Sequence, residues 1–390
     1  MNPQAFDHVN RAAKSGKAED VLQTLVDQLV AGKEFHRAFD ALTMKARHEL
    51  GLPLIMTSPN SEIPEALKDP YEQRLIEACR QVGQWLLQEG EIGQAFHYFN
   101  MLGELGPVRE AIETFTPKED DDRKVEEIVE IAVAHGVHPA KGLKLVLERF
   151  GICQAITSCE QILVQAGDPT ARQECIKLLV RELHSELVER LKAEITAKEG
   201  SAPAAASITL LLKGRDWLFD NENYHIDTSH LNSVVRVARL LPKCEEIFLA
   251  IQLCEYGVKL SDRYKYPDPP PFEDVYADSL VYLKTVAGME VPKGLEHFRA
   301  KADSIDMDQE GTFAAEIYVN LLVQAGKKAE AVEYAARKLN DRTGHNLSCP
   351  SINDLCLQTT RYDLMADLAR KRNDLVSYAA GLLLKSQSGA

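Results

Sequence analysis

Between Trp217 and His230 the chain reads Trp-Leu-Phe-Asp-Asn-Glu-Asn-Tyr-His-Ile-Asp-Thr-Ser-His. Rings, carboxylates, amides and imidazoles crowd into one short stretch. His225, Asp227 and His230 offer two imidazoles and one carboxylate, a donor set that suits zinc or non-haem iron with open positions. Trp217 and Tyr224 add flat faces against which an organic ligand could rest. On this reading residues 217–230 form a metal- or small-ligand-binding site, enzymatic in one version. A structural reading stands beside it. Asp227 or Thr228 is a natural N-cap for a helix beginning near Leu231, and the acidic residues around 220–222 close the loop before it.

Other reactive residue types are better explained by helix ends. His135 and His138 are three apart, a spacing that can bind zinc, but nothing nearby supplies further ligands; a histidine at a helix C-terminus also suits the dipole. The acidic run from Lys118 to Glu127 follows Pro117, where carboxylates meet the unpaired amides of a starting helix. The sequence has no glycine-rich phosphate loop, no H-E-x-x-H and no G-x-S-x-G. No catalytic residue and no cofactor are nominated.

Composition narrows the partners. The 390 residues carry 45 Lys and Arg against 59 Asp and Glu, a formal charge of −14. Nucleic-acid binding needs a basic footprint, so nucleic acid is not expected, whereas a basic protein would be steered favourably. The N-terminus lacks a basic start followed by an apolar stretch, and no run of about 20 apolar residues exists to span a bilayer. The eight cysteines form no C-x-x-C pair and sit mostly in apolar helical patterns, as expected of reduced, buried thiols. A cytoplasmic location is expected.

The elements that must carry these residues read as helices. Apolar residues recur at steps of three and four in 71–88 (Leu75, Cys79, Val82, Leu86) and in 173–195 (Ile176, Leu179, Leu183, Leu187, Leu191, Ile195). Similar stripes occupy 18–31, 34–49, 123–135, 140–150, 228–241, 244–260, 273–287, 312–325, 328–340, 352–370 and 374–384. No convincing alternation and no Asn-Gly or Asp-Gly hairpin turn appears. The expected class is all-α. Proline- or small-residue-rich linkers at 52–70 and 199–206 divide the chain into N-terminal helices (1–51), a helical-repeat region (71–198) and a C-terminal helical-repeat region (207–390). A third such stretch, 264–272, reads as an extended polyproline-type connection.

Two stretches repeat each other. Trp85 to Tyr98 and Leu321 to Tyr334 share Gly90 with Gly326, Ala95 with Ala331, Tyr98 with Tyr334, Leu86 with Leu322 and Gln88 with Gln324. The glycine ends one helix, the alanine lets the next cross it closely, and the aromatic fills the groove one turn on. With Gly83, Phe99 and Pro107, the segment 76–109 resembles a tetratricopeptide repeat; 315–340 resembles part of another. Cys79 stands where that family has tryptophan, and the second copy lacks the early glycine and closing proline. The resemblance implies an α-solenoid of stacked antiparallel hairpins, partly degenerate, whose first helices line a groove. Gln84, Gln88, Tyr318 and Gln324 are its implied binding residues, and its implied role is a non-enzymatic scaffold gripping a peptide or protein segment.

Overall fold

A computed structural model describes residues 3–14, 16–55, 63–118, 121–165, 167–201, 203–204, 207–340 and 347–387. Among them regular structure is helical throughout, with an isolated antiparallel bridge between Pro267 and Asp274. No helix among the described residues is long and apolar enough to cross a membrane. Two compact units emerge: Met1–Gly151 with Glu160–Arg172, and Ile152–Cys159 with Gln173–Ala390. The division thus runs through the expected 71–198 block.

The first unit is built from α1 (Pro3–Ala13), α2 (Ala18–Ala31), α3 (Phe35–Glu49), α4 (Glu65–Gln88), α5 (Ile92–Leu102), α6 (Gly106–Thr114), α7 (Asp122–Val129) and the start of α8 (Pro139–Gln165), which breaks at Gly151. From α1 to α6 each helix packs on the next in sequence, and α7 returns to α5. Their apolar stripes meet in a core that includes Val82, Leu86, Ala95, Phe99, Val108, Ile112, Val125, Ile128 and Leu145. Each large side chain removed from water there contributes about 1.5–3 kcal/mol. The expected linker 52–70 is shorter than its prolines suggest. Helix α4 already begins at Glu65, and Pro70 sits inside it; the linker's middle, 56–62, lies outside the described residues.

The second unit contains α9 (Pro169–Glu199) from residue 173 onward, α10 (Ile208–Leu212), α11 (Thr228–Ala238), α12 (Glu246–Val258), α13 (Val275–Ala287), α14 (Val291–Ser304), α15 (Met307–Glu310), α16 (Phe313–Gln324), α17 (Lys328–Lys338), α18 (Ile352–Gln358), α19 (Tyr362–Lys371) and α20 (Leu375–Gln387). From α11 to α14, and again from α16 to α20, chain neighbours pack on each other, with α14 on α16 joining the two runs. The expected stripe 352–370 is two helices, because the chain turns at Thr360. The 264–272 connection is held by salt bridges: Arg236 on α11 and Arg239, the residue that caps its C-terminus, grip Asp268, each at 2.8 Å, and the Arg239 guanidinium lies 3.8 Å from the Phe272 ring centre. None of the eight cysteines forms a disulfide, and six are buried; burial pushes the thiols of Cys175, Cys254 and Cys349 up to about 12.

One turn recurs. In the Gly90 turn, the Glu91 N–H donates to Leu86 O at 2.9 Å, Gly90 to Leu87 O at 3.0 Å, and Ala95 to Glu91 O at 3.0 Å. The Gly326 turn repeats all three bonds: Lys327 to Leu322 at 2.8 Å, Gly326 to Val323 at 3.0 Å, Ala331 to Lys327 at 3.0 Å. The same pattern closes α2–α3 around Lys33, α18–α19 around Thr360 and α19–α20 around Asn373. All five central residues are left-handed, with φ between 54° and 76°. Each turn satisfies the last carbonyls of one helix and launches the next back along it. Gly326 and Thr360 stand 34 residues apart.

Candidate functional site

The segment 217–230 is not a regular helix, and its irregularity has identifiable supports. A 3-10 turn over Asp216–Glu222 is interrupted at Asp220, which is extended, and at Asn221 and Glu222, both left-handed with φ of 55° and 59°. Two successive non-glycine residues in that region cost roughly 1–2 kcal/mol each. The cost is offset by what the conformation places. Glu222 accepts from Arg263 and from Ser261 Oγ, the latter at 3.0 Å. Asn223 Nδ2 donates to Leu218 O at 3.2 Å and straddles the Glu194 carboxylate at 3.1 and 3.3 Å.

His225 is the buried centre of the segment, its side chain only 2% exposed. Its backbone N–H donates to Tyr256 Oη at 2.8 Å, and Nδ1 lies 3.0 Å from the same oxygen. Nε2 lies 3.0 Å from Glu194 Oε2 but without the alignment of a hydrogen bond. A lone pair facing a carboxylate would repel it, so Nε2 carries the ring proton and Nδ1 accepts from the tyrosine hydroxyl. Burial lowers the tendency of His225 to protonate, against the opposing pull of Glu194. Phe219 and Tyr256 enclose the ring, with centroids 6.1 and 5.7 Å away.

The sequence-derived metal set does not assemble. Asp227 is the N-cap of α11: its Oδ1 accepts from the Ser229 hydroxyl at 2.5 Å, Ser229 N at 2.8 Å and His230 N at 3.3 Å, and these bonds, the hydroxyl's first, hold its carboxyl below the usual range. The cap is therefore Asp227 and not Thr228. His225 faces Tyr256 and Glu194, on other elements. Among the described residues no three His, Cys, Asp or Glu side chains are placed to hold a metal ion. The carboxylate is engaged by backbone amides at the very helix start that brings His230 around.

Trp217 and Tyr224 do come together, on the walls of an open groove of about 690 Å³ shared with Glu194, Lys198, Asp220 and Glu222. The Lys198 ammonium sits 3.9 Å from the Trp217 ring centre. Tyr224 is 48% exposed and stacks edge-on with Tyr264. Sequence reading missed Glu194 and Lys198, which belong to the charged face of α9. Their i,i+4 spacing puts them on one side of that helix, but nothing local says that 217–224 folds against it.

The four residues implied by the repeat divide between the units. Gln84 and Gln88 are exposed on α4, and Gln324 is exposed at the end of α16. Tyr318 is 6% exposed and packs edge-on against Tyr334 with centroids 4.6 Å apart. Only its rim reaches the surface, in a cleft of about 510 Å³ between Arg299, Asp303 and Lys327. A tyrosine one helical turn before Leu321–Leu322 lies on the stripe that faces the next helix. Of the histidine pair, His138 Nε2 meets Glu113 at 2.7 Å and His135 rests on Phe96 at 4.8 Å. No family profile, no curated protein and no solved structure matches the chain.

Proposed function

We propose that the chain is a non-enzymatic, tetratricopeptide-like scaffold that grips a peptide or protein segment, with a basic partner favoured over nucleic acid and the cytoplasm as its place of work. The recurring turn is the single observation that carries this reading. Five helical hairpins close with one hydrogen-bond pattern, and two of those turns stand 34 residues apart, the period of that repeat class. Stacked hairpins present the side chains of successive helices as a continuous surface, and recognition by such a surface needs shape and charge but no reactive group. The net charge of −14 supports a basic partner.

The test is selection of displayed twelve-residue peptides against the full chain. Enrichment of a common motif, with binding weakened by Gln84→Lys with Gln88→Lys or by Gln324→Lys, is the expected outcome. A library that yields no saturable binder, or a small molecule turned over at a buried cleft, would remove the reading. A second reading, a small-ligand site at the Trp217–Tyr224 groove, draws on the Tyr256–His225–Glu194 chain that ends at its wall.

A further inference from the structure

We infer that the groove between α9 and the 217–224 segment is a receptor for a lysine or arginine side chain of a bound basic segment. This inference rests on the scaffold reading above and names the chemistry of one contact within it.

Four features point to a cation. Trp217 and Tyr224 supply aromatic faces on a groove of about 690 Å³, and a cation over such a face gains about 0.5–2 kcal/mol according to its desolvation. The tryptophan face already holds a cation, the chain's own Lys198 ammonium at 3.9 Å. Two carboxylates retain acceptor capacity at the groove. Asp220 is exposed. Glu194 accepts only the Asn223 amide and faces the misaligned His225 Nε2. Glu222 is different because one of its partners is a cation: Arg263 and Ser261 bond its oxygens, and the Arg263 guanidinium already offsets its charge.

The fourth feature is the buried imidazole behind the wall. His225 Nε2 has no aligned acceptor, although the side chain is 2% exposed and the nitrogen is 3.0 Å from Glu194 Oε2. The Asn223 amide therefore holds Glu194 from behind, with the His225 ring beside it as a wall, and the remaining lone pairs of Glu194 are left for a donor arriving from the groove. A guanidinium or ammonium supplies such donors, and the aromatic faces cover its apolar stem. In the unbound chain Lys198 fills the aromatic half of the receptor, so it is a resident competitor.

That competition gives the experiment its sign. A fluorescein-labelled peptide of alternating lysine, arginine and serine is titrated with the full chain and read by anisotropy. The proposal expects saturable binding that weakens at least about fivefold in Trp217→Leu, Glu194→Gln and Asp220→Asn, and tightens in Lys198→Met. Glu245→Gln and Lys371→Met change the net charge by the same amounts at exposed positions outside the groove, and are expected to shift binding less than twofold. Circular dichroism checks that each variant keeps its helix content, and Asp220→Asn, at an exposed side chain, serves if Glu194→Gln does not fold. Equal effects from groove and control variants, or weaker binding in Lys198→Met, overturn the receptor. Failure here with a motif enriched in the display selection leaves the scaffold standing; failure of both removes both.

Discussion

Gly83 on α4 lies directly beneath the Phe99 ring on α5: a Cβ added to the glycine would stand 2.6 Å from Phe99 Cε2. Phe99 is 1% exposed and belongs to the core of the first unit, so its ring is packed on by neighbours and not free in solvent. Gly83→Ala should gain up to about 1 kcal/mol in helix propensity. It should lose about 1–3 kcal/mol to overpacking. The net expectation is destabilisation, read as a lower denaturant midpoint. Gly106→Ala, at the first residue of α6, where a Cβ meets nothing within 4 Å beyond its chain neighbours, is the control and should cost less, its only strain coming from Pro107 next in sequence. Equal midpoints for the two variants would mean that the crossing is loose.

The recurring turn makes opposite predictions at its five central residues. Thr360 is β-branched and held at φ 54°, a conformation that glycine adopts without strain. Thr360→Gly should stabilise the chain by about 1 kcal/mol, and Gly326→Ala should destabilise it by a similar amount. Thermal melts of the two variants decide the matter; destabilisation by both would show that Thr360 makes contacts that outweigh its backbone cost.

Those same five positions show what was legible in the sequence. Gly90 and Gly326 announce their turns, and the alanines and tyrosines that follow were readable at fixed offsets. Lys33, Thr360 and Asn373 hide the same turn, because a side chain at the left-handed position removes the glycine signal while the backbone pattern persists. Helix class and most apolar stripes were readable for the ordinary reason that period-3.6 burial leaves a local trace. The groove was only half readable. Trp217 and Tyr224 stood out, but Glu194 and Lys198 reach them through tertiary packing, and their own helix gives no hint of it. Asp227 was readable as a cap, and that role takes it away from any metal.

Buried imidazoles predict a pH dependence. Burial depresses His225, and it depresses His184, which bonds Gln252 at 3.2 Å. Unfolding restores the ordinary value of 6.5 to both, so the unfolded chain binds protons more readily. Stability is therefore complete above that value and falls as pH drops through it and below. The melting temperature should decline between about pH 7.5 and about pH 5, before most carboxylates titrate. In the His184→Gln, His225→Gln double variant this part of the decline should flatten. An unchanged slope would mean that other groups set the acid sensitivity.

The clasp on the 264–272 connection separates a specific ion pair from general packing. Asp268 is 10% exposed and bridges Arg236 and Arg239, and Arg239 is itself 10% exposed with its charge already disfavoured by burial. Asp268→Asn leaves the Arg239 charge with no carboxylate in a poorly solvated site, a loss of about 3 kcal/mol or more. Arg239→Met with Asp268→Leu removes both charges and keeps apolar volume beside Phe272. The pair's Coulomb energy and its desolvation cost nearly cancel, so the double variant should be more stable than Asp268→Asn alone. Denaturation of both variants gives the comparison. If the double variant is the weaker, the geometry of the clasp, and not the orphaned charge, holds the connection in place, and the gap between the two midpoints measures how much.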